Sequence, residues 1–511
     1  MMRKSSIFFI FLLPCFFFWS LSEAVEKKGS GPQVLTFAGG TEIITLDPQF
    51  TTHAHTANVV MHIHETLVKY DVDMNLIPSL AESWEVSENA LSWTFRLRKG
   101  IFFHDGTTFN AEAVKYTFDR LLNLSNGSPR RDALSMVKEI KVVNPSTINF
   151  VMWKPFALFL NQLTVYNLAI LSPKAAKKWG REYSIAPAGT GTFKLESWSP
   201  GERVVLSRND HYWGKKPRFD KLIFRIIPDE SVRVKLLLKG EIDVISPVPN
   251  GLIKQLEQSK EAQVIHEKGF RTIYLGFNNK IKPFNDLRVR KAVSHIINTE
   301  AIMKNVLKGR GGLGGGHESP FVPGAHQGLK PHPYDPALAK KLLTEAGYPN
   351  GFSTTLYTPK GRYYMDEEVA HSIQAQLKEA GIAVRIETPS WTTYIRLLEE
   401  GTDIPMFIMG KGSPTSDLNF TMNHGIKTGG KMNYSQYSNP KVDRLIEEQE
   451  GIVDPKRRFQ VLYEIQKITY DEVANITLFY EDQILGKRRN VHGIEIYPFE
   501  FINFSQAFKA Q

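Results

Sequence analysis

The sequence predicts a mixed α/β protein with more than one packed domain, and three observations carry that expectation. The chain has 511 residues, 42% hydrophobic and 23% charged, enough for two or three cores at the usual size of roughly 100–200 residues each. Strand-patterned and helix-patterned segments occur together in the first half and again in the second, as mixed lobes require. Glycine and proline breaks, at Lys99-Gly100 and Pro200-Gly201 among others, bound the alternating runs at strand length.

The N-terminus reads as an export signal. Arg3 and Lys4 precede a run of Ile, Phe and Leu reaching about Leu21, and Ser22-Glu23-Ala24 offers small residues to a signal peptidase. Residues 1–24 are therefore expected to be cleaved, placing the mature protein in the periplasm. A membrane anchor is the rival reading, but the apolar core is short for a span of ~20 residues. Cys15, the only cysteine, lies inside this segment, so no disulfide is expected. Lipid anchoring at Cys15 is disfavoured because Pro14 precedes it and bulky residues follow.

A strand VLTFA then leads into Gly39-Gly40-Thr41. Residues 93–97 alternate apolar with polar, the two-residue period of a half-buried strand, and Gly100 ends it. His104-Asp105-Gly106 makes a turn. Asn110 caps a helix that gathers Ala113, Val114, Thr117 and Phe118 on one face. Residues 187–193, PAGTGTF, read as a Gly-rich turn feeding a hairpin closed by Pro200-Gly201. Residues 273–293 give a strand and a helix opened by Asn285-Asp286, and residues 468–491 a helix and a strand.

The stretch 80–120, LAESWEVSENALSWTFRLRKGIFFHDGTTFNAEAVKYTFDR, resembles closely the signature of the family 5 extracytoplasmic solute-binding proteins, the dipeptide, oligopeptide and nickel receptors of ABC importers. Segments 187–214, 273–293 and 468–491 resemble the same family in the same order. The resemblance implies a two-lobed periplasmic binding protein of type II, cluster C-like, with hinge strands and an extra subdomain in lobe I. Lobe I is expected at 25–61, 187–272 and 481–511, the inserted subdomain at 62–186, and lobe II at 273–480. The crossings should fall near 273–277 and 476–480. Such receptors close on a ligand and present the closed form to a permease. The implied partners are a peptide or peptide-like solute, an ABC permease and its ATPase subunits; a monomer without cofactor or catalysis is expected.

The resemblance also places candidate ligand residues. From Trp391 to Phe420 the spacing matches peptide receptors, which carry an ammonium-binding aspartate at the twenty-second position after that tryptophan. Here the position is Ser413, which brings no charge, and a buried unpaired ammonium is costly. Asp417 substitutes if the loop is reshaped. Lys360 falls at the place of a carboxylate-binding arginine and Arg362 at a neighbouring aromatic position; the alternative is a solvated loop, with Asp366 neutralising Arg362. Gly40 and Thr41 resemble the family's first ligand-facing loop, though ordinary turn chemistry accounts for them as well. Trp391 and Tyr394 suit either a cleft wall or a core.

His53, His55, His62 and His64 have metal-like composition, and His55 and His62 share a helical face, so a nickel-type metal or metal-chelate receptor is the alternative function. The net charge of +10 is spread along the chain, whereas nucleic-acid binding concentrates basic residues on one face. The 309–314 segment GRGGLG spells G-x-G-x-x-G but follows a helical stretch and opens no helix. With no G-x-x-x-x-G-K-[ST] segment, ATP hydrolysis is assigned to a partner. His104-Asp105 has no nucleophile elbow beside it.

Overall fold

A computed structural model of the protein describes residues 32–51, 54–401, 404–413 and 415–510. The expected signal peptide of residues 1–24, with Cys15, and His53 lie outside the described residues. Ten strands form one mixed sheet, in the spatial order Ala383–Glu387, Ser353–Tyr357, Met406–Lys411, Ala262–Phe277, Asn475–Arg488, Val244–Ser246, Val34–Gly39, Lys221–Ile226, Arg203–Arg208 and Phe193–Ser199.

The two central strands organise everything else. They are 16 and 14 residues long, well beyond the usual 5–6, because each serves both halves of the sheet. Residues 262–268 pair with 482–488, the ladder breaks between Lys268 and Thr272, and residues 272–276 pair with 475–480. Before the break the outer neighbour is Val244–Ser246, with Val244 opposite Lys487. After it the outer neighbour is Met406–Lys411, with Phe277 opposite Met406 and Thr272 opposite Lys411. Each half has its own apolar core. Leu275, Phe277, Ile373 and Phe407 are among the residues that build one; Leu35, Phe193, Leu206 and Phe224 belong to the other.

The sheet of the inserted segment has four antiparallel strands, Ala81–Val86, Ser92–Leu97, Thr147–Met152 and Val137–Asn144 in spatial order. The expected alternation holds, since Trp93, Phe95 and Leu97 point inward onto Phe150 and Phe159. The helix Ala111–Leu122 packs on this sheet. Asn110 Oδ1 accepts the Ala113 N–H at 3.0 Å, and Ala113, Val114, Thr117 and Phe118 are buried. Gly106 takes the left-handed conformation, φ +79°, that the turn at 104–106 needs. Among the described residues no helix is long and apolar enough to cross a membrane.

The Gly-rich turn has a steric reason for its glycines. A Cβ at Gly189 would stand 2.1 Å from the Ile63 carbonyl oxygen, and one at Gly191 would stand 2.4 Å from that of His62. The turn thus lies flat against the end of the helix Ala54–Ile63. Gly189→Ala is expected to lower the unfolding free energy by about 1–3 kcal/mol or more through forced backbone displacement. Gly251→Ala, where a Cβ meets nothing within 4 Å, should stay within about 0.5 kcal/mol of the parent. Urea unfolding of the two variants checks this, and equal midpoints would refute the packing argument.

Candidate functional site

Strand directions bring two edges together. Val34–Gly39 runs parallel to Lys221–Ile226 and Val244–Ser246, and Ser353–Tyr357 runs parallel to Ala383–Glu387 and Met406–Lys411. Val244–Ser246 advances along its neighbour from Lys487 toward the break, and Met406–Lys411 ends at Thr272 beside the break. The carboxyl ends of both parallel sets therefore face the ladder break from opposite sides. Ligands of open α/β sheets bind outside such ends.

An ionic cluster occupies the break itself. The Arg271 guanidinium donates to Glu481 Oε2 at 3.2 Å and to Glu500 Oε1. The other oxygen of Glu481 accepts the Tyr364 N–H at 2.8 Å, and burial pushes its carboxyl above the usual range against the pull of Arg271. Glu500 holds φ +70°, a strained backbone for a residue with a Cβ, and its carbonyl accepts from Asn58 Nδ2. Both halves of the sheet and the C-terminal segment meet here.

The sequence candidates divide into three groups. Gly40 lies against the buried Arg233, where a Cβ would come 2.8 Å from Nη1, and Thr41 beside it is exposed. Arg362 and Trp391 are brought together, the guanidinium 5.0 Å from the indole centroid, with the Tyr363 ring edge-on to that indole. Asp366 does not pair with the Arg362 guanidinium; its carboxylate accepts the backbone N–H groups of Gly361, Arg362 and Tyr363. Lys360 is exposed and paired with Glu367 at 3.0 Å. Tyr394 is fully buried and donates to the Ile408 carbonyl, so of its two readings the core is the one realised.

Ser413 and Asp417 are joined within one loop. Ser413 Oγ accepts the Asp417 N–H at 3.0 Å and donates to the Asp417 carbonyl. The Asp417 carboxylate holds Arg458 through both oxygens, at 2.8 and 2.5 Å, and caps Asn419. Its charge is already matched. Tyr70 of the inserted segment donates to the Thr415 carbonyl in this loop, Lys154 pairs with Glu450 at 2.7 Å, and the Ala157 N–H reaches the Glu450 carbonyl. Tyr70, Lys154 and Ala157 thus tie this part of the chain to Thr415 and Glu450.

The histidine alternative meets a geometric obstacle. His55 and His62 share the helix Ala54–Ile63, but both ring nitrogens of His62 are occupied. Nδ1 donates to the Asn58 carbonyl at 2.6 Å and Nε2 accepts the Phe504 N–H at 3.1 Å. Burial holds this imidazole down at about 4. His64 is likewise engaged with Val60 O and Tyr183 Oη. Among the described residues no group of three His, Cys, Asp or Glu is arranged to hold a metal ion.

The arrangement also shows a group that sequence reasoning missed. Lys411 ends its strand at the break, with Nζ 3.3 Å from His317 Nδ1 and 4.7 Å from the Tyr274 ring centroid. It lines a small pocket whose walls include Met409, Phe420, Met432 and Tyr434. Burial lowers its ammonium to about 8. Burial also raises the Glu318 carboxyl to about 7, and Thr421 Oγ1 donates to Glu318 Oε1. A signal existed in Gly410-Lys411-Gly412, a lysine directly after the apolar run of a buried strand. Glu318 carried none.

A family model described as bacterial extracellular solute-binding proteins, family 5 Middle, matches residues 75–433. The glutathione-binding protein GsiB of Salmonella choleraesuis (strain SC-B67) is 30% identical over 479 residues, 92% of this chain and 93% of that protein. The structure of the ABC transporter-associated periplasmic binding protein DppA from Helicobacter pylori, in complex with the peptide STSA, has a TM-score of 0.79 at 28% identity, covering 94% of this chain and 98% of that one. The dipeptide-binding protein of Pseudoalteromonas sp. SM9913 in complex with Met-Leu has a TM-score of 0.80 at 25% identity, covering 94% and 100%.

Proposed function

The chain belongs to the bacterial extracellular solute-binding proteins of family 5, and on that premise we propose that it captures a peptide or peptide-like solute between two lobes and delivers it to a membrane permease driven by separate ATPase subunits. The observation that carries this reading is the pair of facing carboxyl edges, with two long strands that serve both halves running between them. Two lobes linked in this way open and close by small backbone changes at the break, and a ligand touching both edges favours closure. Lobe I takes residues 33–272 and 481–510, including the inserted subdomain at 62–186, and lobe II takes 273–480.

Each lobe has a defined contribution in this reading. Gly40 and Thr41 offer backbone groups from lobe I. Arg362 and Trp391 offer a cation stacked on an aromatic face from lobe II. Ser413 and Asp417 shape the loop beneath the ligand, with no ammonium bound at either. The mature protein acts as a periplasmic monomer after cleavage of its signal peptide, and catalyses nothing.

Titration with dipeptides and short oligopeptides tests the reading. A true ligand should raise the unfolding free energy by about 2.7 kcal/mol at a hundredfold excess over its dissociation constant and change the fluorescence of Trp391. Silence across the whole panel in both readouts would sink it.

A further inference from the structure

We propose that Lys411 is the specificity-determining residue for a carboxylate on the ligand, seated in the pocket between the strand Met406–Lys411 and the loop around Met432 and Tyr434. The inference rests on the proposed capture of a peptide-like solute, and it moves the anionic anchor from Lys360, exposed and already paired with Glu367, to a residue 51 positions later.

Three observations support it. The Lys411 ammonium forms no salt bridge at contact distance among the described residues, Glu318 acting on it from farther off, and its hydrogen-bond partner is the ring of His317. An ammonium removed from water needs a counter-charge, and a cation held over an aromatic ring keeps its charge exposed to the open side. Second, the pocket lining mixes apolar walls with the polar groups of Lys411 and Asn475. Asn475 is 8% exposed and lines the pocket beside Lys411. Third, the nearby acid is a weak competitor. Glu318 shares its first oxygen with Thr421, and burial biases its carboxyl toward the neutral form against the pull of Lys411.

The chemistry fits an aliphatic stem ending in a carboxylate. The stem packs against Met409, Phe420 and Met432, and the head reaches Lys411. An acidic side chain and a C-terminal carboxylate both have this form.

The experiment compares charged ligands with their amides by calorimetry on the mature protein. One arm sets Ala-Glu against Ala-Gln, and the other Ala-Ala against Ala-Ala-amide; the arm showing the preference identifies the source of the carboxylate. The expected result is at least tenfold tighter binding of the carboxylate member in one arm, reduced to within about twofold in Lys411→Gln. The parent comparison stands alone if that variant fails to fold, which its melting curve would reveal. Equal affinities in both arms of the parent overturn the assignment while leaving peptide capture intact, as does a preference that survives unchanged in a folded Lys411→Gln protein. Absence of binding by every peptide removes the capture reading, and this inference with it.

Discussion

Replacing Arg458 by methionine is expected to cost about 3–5 kcal/mol of unfolding free energy, the usual result of removing one partner from a buried pair. Arg458 and Asp417 are 5% and 2% exposed. The guanidinium spends two donors on the Asp417 carboxylate and a third on Gln449 Oε1 at 2.9 Å, so its loss strands a buried carboxylate. The double variant Asp417→Leu/Arg458→Met should recover most of the loss, because neither charge then remains unpaired. Urea unfolding followed by circular dichroism gives all three values. A further variant, Asp417→Asn, separates two roles for Asp417. If it anchored a ligand ammonium, Asp417→Asn would lower peptide affinity with stability nearly unchanged. The bidentate pair predicts the reverse order, a large stability loss with any affinity loss secondary to the loosened loop at 412–417.

What the sequence could reveal follows the range of the interactions. The capped helix after Asn110, the inward set Trp93, Phe95 and Leu97, and the hairpin turned at Gly201 (φ +73°) depend on neighbours a few residues apart, and all were legible. The central strands were legible only in part. Their expected segments, 273–277 and 476–480, are the apolar stretches, whereas the strands extend back to Ala262 and on to Arg488. The added residues, such as His266, Glu267 and Lys268, owe their strand conformation to partners more than 200 positions away. The same limit governs the site. Arg362 and Trp391 meet because Ser353–Tyr357 and Ala383–Glu387 are neighbours in the sheet. Asp417 finds Arg458 across 41 positions. Spacing put His55 and His62 on one face correctly, but could not show that Phe504, 442 residues on, donates to the ring that would have bound metal. Lys411 stands out only once the sheet is formed, because its burial at the end of the strand Met406–Lys411 comes from partners far along the chain.

Acidification should weaken the protein through three histidines beside the Gly-rich turn. His62, His64 and His104 are held at about 4, about 3 and about 4, each mainly by burial. His62 also needs its Nε2 lone pair for the Phe504 N–H, and His64 feels the charge of His104, which in turn faces Lys194 and Asp105. Between pH 4 and 6.5 the unfolded chain takes up protons on these rings and the folded one does not, so stability falls as the pH falls. From pH 7.5 to 5.5 the loss is about 1.3 kcal/mol per histidine and about 4 kcal/mol for the three. Buried carboxyls act oppositely. Burial raises those of Glu65, Glu318 and Glu481, so their contribution is fully present below the unfolded value near 4.5 and is lost as the pH rises. The net slope therefore mixes both signs, and the decisive quantity is a difference between proteins. His64→Gln, which keeps a donor and an acceptor on the side chain, should reduce the loss over that pH interval by about 1.3 kcal/mol relative to the parent. Urea unfolding of both proteins at pH 7.5 and 5.5 yields that difference, and parallel pH dependences would mean that His64 titrates as if it were in water.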